Sequence, residues 1–145
     1  MTRLVASDID HIADSWERYE EDLYLKTGHF LKGLACNAVG LPENQIELVL
    51  PGIRARVVPV SWGEGLIPGF AAAVASVLNH IGMAASTTRN ANIAGVEEAV
   101  AEQCDLIFIS DDEDFTVLNL NQKKTVHNSI ATGKGFAAAL DLMVG

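Results

Sequence analysis

The residues best equipped for chemistry lie in two short loops. The first follows Arg56-Val-Val-Pro-Val60, reads Ser61-Trp-Gly-Glu-Gly65, and leads into a helix opening near Pro68. The second, Ser110-Asp-Asp-Glu113, follows the apolar run Leu106-Ile-Phe-Ile109. In an open α/β sheet, ligands bind in the crevice outside the carboxyl ends of the strands. Ser61, Trp62 and Glu64 therefore stand where a small polar molecule would be gripped. Gly63 and Gly65 let backbone amides approach a ligand ahead of a helix N-terminus, the arrangement that favours an anion. Glu64 opposes that by placing a negative charge at the mouth, and no lysine follows at phosphate-loop spacing. Thr132-Gly133-Lys134 resembles the tail of such a loop, but Asn128 stands where the upstream glycine belongs. An amine or a zwitterion suits the first loop better than a phosphate does.

Asp111 and Asp112 have three readings. They could hold Mg²⁺, a hard cation that wants oxygen ligands from several loops. They could receive a ligand ammonium through charge-assisted hydrogen bonds. They could also simply cap an acidic turn, as aspartates do with nearby backbone amides. The four histidines, His11, His29, His80 and His127, share no metal-ligand spacing. No serine sits in a nucleophile elbow, and neither cysteine follows a glycine turn, so nothing assembles a covalent catalyst.

The elements that must position these loops follow from periodicity. Ser7 with Asp10 has capping-box spacing, and Ile9, Ile12, Ala13, Trp16 and Leu23 recur at helical intervals behind it. One helix is thus predicted from Ser7 to about Lys26, stopped by Thr27-Gly28. A second is predicted over 29–39, closed by Gly40 and Pro42. Residues 41–53 read as a loop with room for a short strand at Ile46 to Leu50. Strands are predicted at 54–60, 84–88 and 105–110, with helices at 68–82 and 94–103 between them. Continuous apolar runs such as Val57-Val58-Pro59-Val60 suit parallel strands covered on both faces. Pro59, lacking an N–H, suggests an edge position or a strand end. Phe115 to Asn119 and Lys124 to Val126 bracket a hairpin turn, and a last helix is predicted over 131–143. The expected architecture is two N-terminal helices on a three-stranded, mainly parallel βαβαβ unit, followed by the hairpin and a C-terminal helix.

Bulk properties narrow the partners. At 145 residues the chain fits one domain. A formal charge of −9 leaves no basic face for nucleic acid or an anionic membrane. Cys36 and Cys104 read as buried free thiols of a cytoplasmic protein, since disulfide frameworks and thiolate metal sites need more cysteines. No signal peptide is evident, and the longest apolar segment, Phe70 to Leu78, is too short to span a bilayer.

Taken together, these segments resemble the N-terminal domain of the pyrrolysine synthase family, the dehydrogenases that complete pyrrolysine biosynthesis. The resemblance runs through Leu4 with Asp8, Thr27-Gly28, Lys32-Gly33 and Gly40, then Val58-Pro59-Val60-Ser61, Gly63 and Gly65. It continues through Gly95 with Glu98-Ala99-Val100, Asp111-Asp112, Phe115, Asn119-Leu120 and Thr132-Gly133. It implies a substrate-binding domain that works with an NAD-holding Rossmann domain, in cis or in trans, to oxidise the terminal amine of a methylornithyl-lysine dipeptide analogue. By similarity, Leu4, Ser61, Trp62, Gly63, Glu64, Asp111 and Asp112 line the substrate side. No G-x-G-x-x-G fingerprint occurs in this chain, so no cofactor is expected in it and the hydride chemistry falls to the other domain. Trp62 and Glu64 depart from the family, which carries a small hydroxyl residue and a neutral amide there, and the indole would reshape the pocket. Two other classes stay open: a stand-alone binding or regulatory module without catalysis, and a Mg²⁺-dependent α/β domain using the Asp111-Asp112 turn.

Overall fold

Successive residues Val57 and Val58 are both fully buried, so the strand that carries them must be covered on both faces. In the computed structural model, which describes residues 6–9, 14–62, 65–111 and 113–144, that strand is β1 (Arg54–Pro59). It lies between two parallel neighbours, β2 (Ala84–Thr87) and β3 (Leu106–Ser110). Helix α5 (Phe70–Ile81) connects β1 to β2, and α6 (Asn92–Ala101) connects β2 to β3. Because these two crossovers step in opposite directions along the sheet, connections of one hand put their helices on opposite faces. The two cores bear this out. Ala55 and Val57 pack against Ala75 and Leu78 of α5, while Val58 and Ile107 pack against Ala99 of α6 and Cys104.

The sheet is wider than the sequence suggests. The hairpin strands β4 (Thr116–Asn119) and β5 (Lys124–His127) join it antiparallel, giving five strands in the order β2-β1-β3-β4-β5. The expected three-stranded parallel sheet is thus the centre of a mixed one. The physical reason is that β3 has an apolar flank to fill: Val117 pairs with Phe108, and Leu118 with Ile107. Pro59 is the last residue of a central strand, so the strand-end reading holds and the edge reading does not.

Other expectations also shift. The single first helix is two pieces, α1 (Ala6–Ile9) and α2 (Trp16–Thr27), with Ser15 as the cap residue of the second. Asp14 and Ser15 form a turn there, in keeping with side chains that compete for local backbone hydrogen bonds. The proposed cap partner Asp10 lies outside the described residues. The loop or strand expected at 41–53 is instead α4 (Glu43–Val49) followed by a 3-10 turn at Leu50–Gly52. Ile46 and Leu50 are four apart on one helical face, whereas Leu48 is 86% exposed; what read as a strand follows the helical period. The last helix, α7 (Asn128–Val144), begins directly after β5, three residues earlier than expected. Helix α3 (Leu31–Val39) ends as predicted, with Gly40 left-handed at φ 68° and its N–H bonded to the helix's last turn.

The N-terminal helices are tied to the sheet layer through a polar side chain. Trp16 stacks on His80 of α5 at 4.7 Å between ring centroids. The Glu20 carboxylate accepts from His80 Nε2 (2.6 Å) and from the backbone N–H of Leu31 at the start of α3 (2.7 Å). At the far side of α5, the Asn79 amide reaches the free edge of β2. It accepts from Ala85 N–H and donates to Ala85 C=O, both at 2.9 Å. Among the described residues, no helix is long and apolar enough to cross a membrane.

Candidate functional site

The carboxyl ends of β1, β2 and β3 meet on one edge of the sheet, and each chain exit is held by a different device. Pro59 pairs in register with Ser110, so Asp111 leaves β3 one residue, and Ser61 leaves β1 two residues, beyond that last pair. Buried Ser110 donates its hydroxyl to the Val58 carbonyl (2.7 Å), locking the two strand ends together. Ser61 is exposed, yet it is clamped from α6. Asn92 Oδ1 accepts from the Ser61 backbone N–H at 2.8 Å, and Asn92 Nδ2 donates to Ser61 Oγ at 2.7 Å. Asn92 does this from φ 57°, a left-handed conformation that asparagine tolerates better than most residues.

The loop from β2 into α6 is built around Gly95 and Glu98. A Cβ at buried Gly95 would sit 2.4 Å from the Asn90 carbonyl oxygen and 2.7 Å from Val58 Cγ1, so only glycine lets helix, loop and strand approach this closely. The Glu98 carboxylate accepts from the backbone N–H groups of Arg89 and Asn90 and from the Asn90 amide, at 2.9 to 3.0 Å. These bonds, the Arg89 amide foremost, hold Glu98 below the ordinary carboxylate range against the opposing effect of desolvation. Thr88 closes the loop by donating to the Asn90 carbonyl at 2.7 Å.

The acidic turn after β3 is ordered by its own first residue. Asp111 Oδ1 accepts from the backbone N–H groups of Glu113 (2.8 Å) and Asp114 (3.1 Å), the local turn that the capping reading anticipates. Phe115 then anchors the turn, packing edge-on against Phe70 at 6.1 Å and Phe108 at 6.3 Å. Phe70 opens α5, so this aromatic cluster connects the acidic turn to the loop leaving β1. Asp114 also lies 3.4 Å from His127 at the end of β5. Between these structures lies a cleft of about 250 Å³. Among the described residues it is lined by Pro59 and Val60, by the stretch from Gly65 to Ala72, and by Thr87 and Ser110.

The pyrrolysine biosynthesis protein PylD N-terminal domain family model matches residues 8–126, most of the chain. The chain belongs to that family. It is 27% identical over 133 residues to the pyrrolysine synthase of Methanosarcina barkeri, covering 92% of this chain and 48% of that protein. Against the pyrrolysine synthase of Methanosarcina acetivorans the identity is 30% over 133 residues, covering 92% and 49%. The chain thus spans about half the length of these relatives.

Of the residues expected to carry the family's substrate site, the structure brings Ser61, Trp62 and Asp111 to one sheet edge. Leu4, Gly63, Glu64 and Asp112 lie outside the described residues. The described cleft lining is apolar with two hydroxyls and includes none of Ser61, Trp62, which is 52% exposed, and Asp111. The described lining offers no Lys or Arg side chain. In addition, Pro68 occupies the place where the glycine turn would need its third glycine. Among the described residues, no group of three metal-ligating side chains occurs. Sequence reasoning missed Asn92 and Thr88, whose partners are distant in the chain or in the backbone. The Asn90-Ala-Asn92 run before a helix was the visible signal. Cys36 and Cys104 are buried free thiols as expected, both pushed up by burial.

Proposed function

We propose that this chain is the substrate-holding half of a pyrrolysine-synthase-type amine dehydrogenase, and that it grips a lysine-derived dipeptide at the carboxyl edge of β1 and β3. The observation that carries this reading is the register of Pro59 with Ser110. It brings the chain exits that carry a hydroxyl, on Ser61, and a carboxylate, on Asp111, to the carboxyl ends of neighbouring strands, next to an apolar cleft lined by Val60 and Ser110. That is the pattern of a site for a small zwitterion: a few convergent polar groups over an apolar floor. Asp111 uses Oδ1 for its own turn, and Oδ2 is the oxygen assigned to a ligand ammonium. Trp62 and Glu64 flank the same loop, with Gly63 between them and Asp112 beside Asp111. Leu4 is the assigned contact from the first segment. NAD belongs to a separate Rossmann domain, in cis or in trans, which takes up the hydride when the amine-bearing carbon is oxidised. The surroundings are cytoplasmic and neither nucleic acid nor membrane is a partner.

The test is a ¹H–¹⁵N NMR titration of the chain with Nε-ornithyl-lysine. Chemical-shift changes should concentrate at Ser61, Trp62 and Asp111, and should be lost in Asp111→Asn. Trp62→Ser should open the site and tighten binding. Shifts that spread evenly, or that survive Asp111→Asn, refute the assignment.

A further inference from the structure

We propose that Asn92 fixes the polarity of Ser61, leaving its hydroxyl proton free to donate and so favouring an acceptor group of the ligand, a carboxylate or amide carbonyl. The ligand half of this inference rests on the proposed substrate reading; the clamp itself does not.

The argument begins with a donor that has no choice. The backbone N–H of Ser61 can only donate, and the atom facing it at 2.8 Å is the oxygen of the Asn92 amide. Turning that amide over would set NH₂ against N–H, two donors with no acceptor between them, so the orientation of Asn92 is determined by chemistry. Its NH₂ group must then face Ser61 Oγ, where it stands at 2.7 Å. An amide NH₂ cannot accept, so Oγ accepts from Asn92 and the hydroxyl proton is left to point elsewhere. Among the described residues nothing receives that proton, and Ser61 is exposed at the sheet edge.

The consequence is a division of labour across the edge. Asp111, the first residue beyond the adjacent strand β3, carries a carboxylate suited to an ammonium. Ser61 is biased to be the complementary donor. An amino-acid-like ligand would therefore lie in one direction, its acceptor end over β1 and its ammonium end over β3. Asn92 is a positioning residue: it acts through Ser61 and through the helix-α6 start that carries it. Its side chain reaches Ser61 from a left-handed backbone conformation.

Asn92→Asp is the decisive variant, because it is isosteric and keeps the oxygen that accepts from Ser61 N–H. Its second oxygen would accept from Ser61 O–H, reversing the hydroxyl. The added charge also repels a carboxylate, and comparison in the Ser61→Ala background removes that effect. Nε-ornithyl-lysine affinity is measured by calorimetry for the parent, S61A, N92D and the double variant. The Asn92 side-chain NH₂ resonances are followed by NMR without ligand. The expected result is that S61A shifts those resonances, and that N92D weakens binding about tenfold more when Ser61 is present than in the Ser61→Ala background. Resonances that ignore S61A, or an equal N92D effect in both backgrounds, overturn the proposal. A parent that binds no dipeptide while the resonances respond overturns the substrate reading and leaves the clamp standing.

Discussion

Gly95→Ala is the substitution whose outcome the structure determines most sharply. The added methyl would lie 2.4 Å from the Asn90 carbonyl oxygen, 2.7 Å from Val58 Cγ1 and 3.0 Å from Thr88 Oγ1. Val58 is fully buried against Ile107 and Cys104, so the strand side cannot yield. The loop must move instead, by something on the order of 1 Å to reach an ordinary contact. That movement strains the Thr88-to-Asn90 bond and those of Glu98 to Arg89 and Asn90. Overpacking of this kind costs about 1–3 kcal/mol, and each weakened hydrogen bond adds about 1 kcal/mol. The helix-propensity gain of alanine over glycine offsets only about 0.5–1 kcal/mol. The net expectation is a loss of roughly 2–3 kcal/mol, or about 6–9 °C in melting temperature for a chain of this size. The matched control is Gly133→Ala in α7, where nothing lies within 4 Å of the added methyl and the propensity gain should stand alone, raising the melting temperature by about 2 °C. Thermal unfolding followed by circular dichroism reads both variants. Should Gly95→Ala melt at or above the parent, the close approach of α6 to β1 is wrong.

Three other outcomes are expected. Asp111→Asn should leave the melting temperature nearly unchanged, since Asn keeps an oxygen for the Glu113 and Asp114 amides, whereas Asp111→Ala should cost about 1 kcal/mol; equal losses would deny the turn. Glu98 is held below its unfolded value, so its contribution is present above the ordinary carboxylate range and lost as pH falls through its folded value. Urea midpoints measured from pH 5 to pH 3 should therefore fall more steeply in the parent than in Glu98→Gln, and parallel slopes would contradict this. Asn79→Ala unpairs the Ala85 N–H and C=O, so size-exclusion chromatography should show concentration-dependent association; a variant that stays at the parent's elution volume argues against an edge role.

How much of this was legible beforehand varied with the range of the interaction. Strands β1 and β3 and the two crossovers were visible because continuous apolar runs and Gly-Pro stops are local signals. Helix α4 was not, because Ile46 to Leu50 is apolar enough to mimic a strand until the four-residue spacing of Ile46 and Leu50 is weighed against exposed Leu48. The hairpin was legible, but its union with β3 depends on pairs such as Val117 with Phe108, which no local pattern records. At the candidate site, the places of Ser61 and Asp111 just beyond β1 and β3 were legible from the apolar runs that precede them. Asn92 lies 31 residues from Ser61, and only the fold joins them. Gly95 and Glu98 belonged to the family resemblance, yet their reasons appear only when a methyl is placed at one and the loop amides are traced to the other.

The Asn79 amide has a consequence for the size of the sheet. Strand β2 is an outer strand with alternate residues facing away from β1, and Ala85 is one of them. A primary amide presents one acceptor and one donor, the same pair a neighbouring strand would offer at that position. Helix α5 therefore covers one face of the sheet and, through its last turn, also occupies the seat of a sixth strand. Sheet width on this side is set by a single side chain, and a further strand could be added only by first displacing the end of α5.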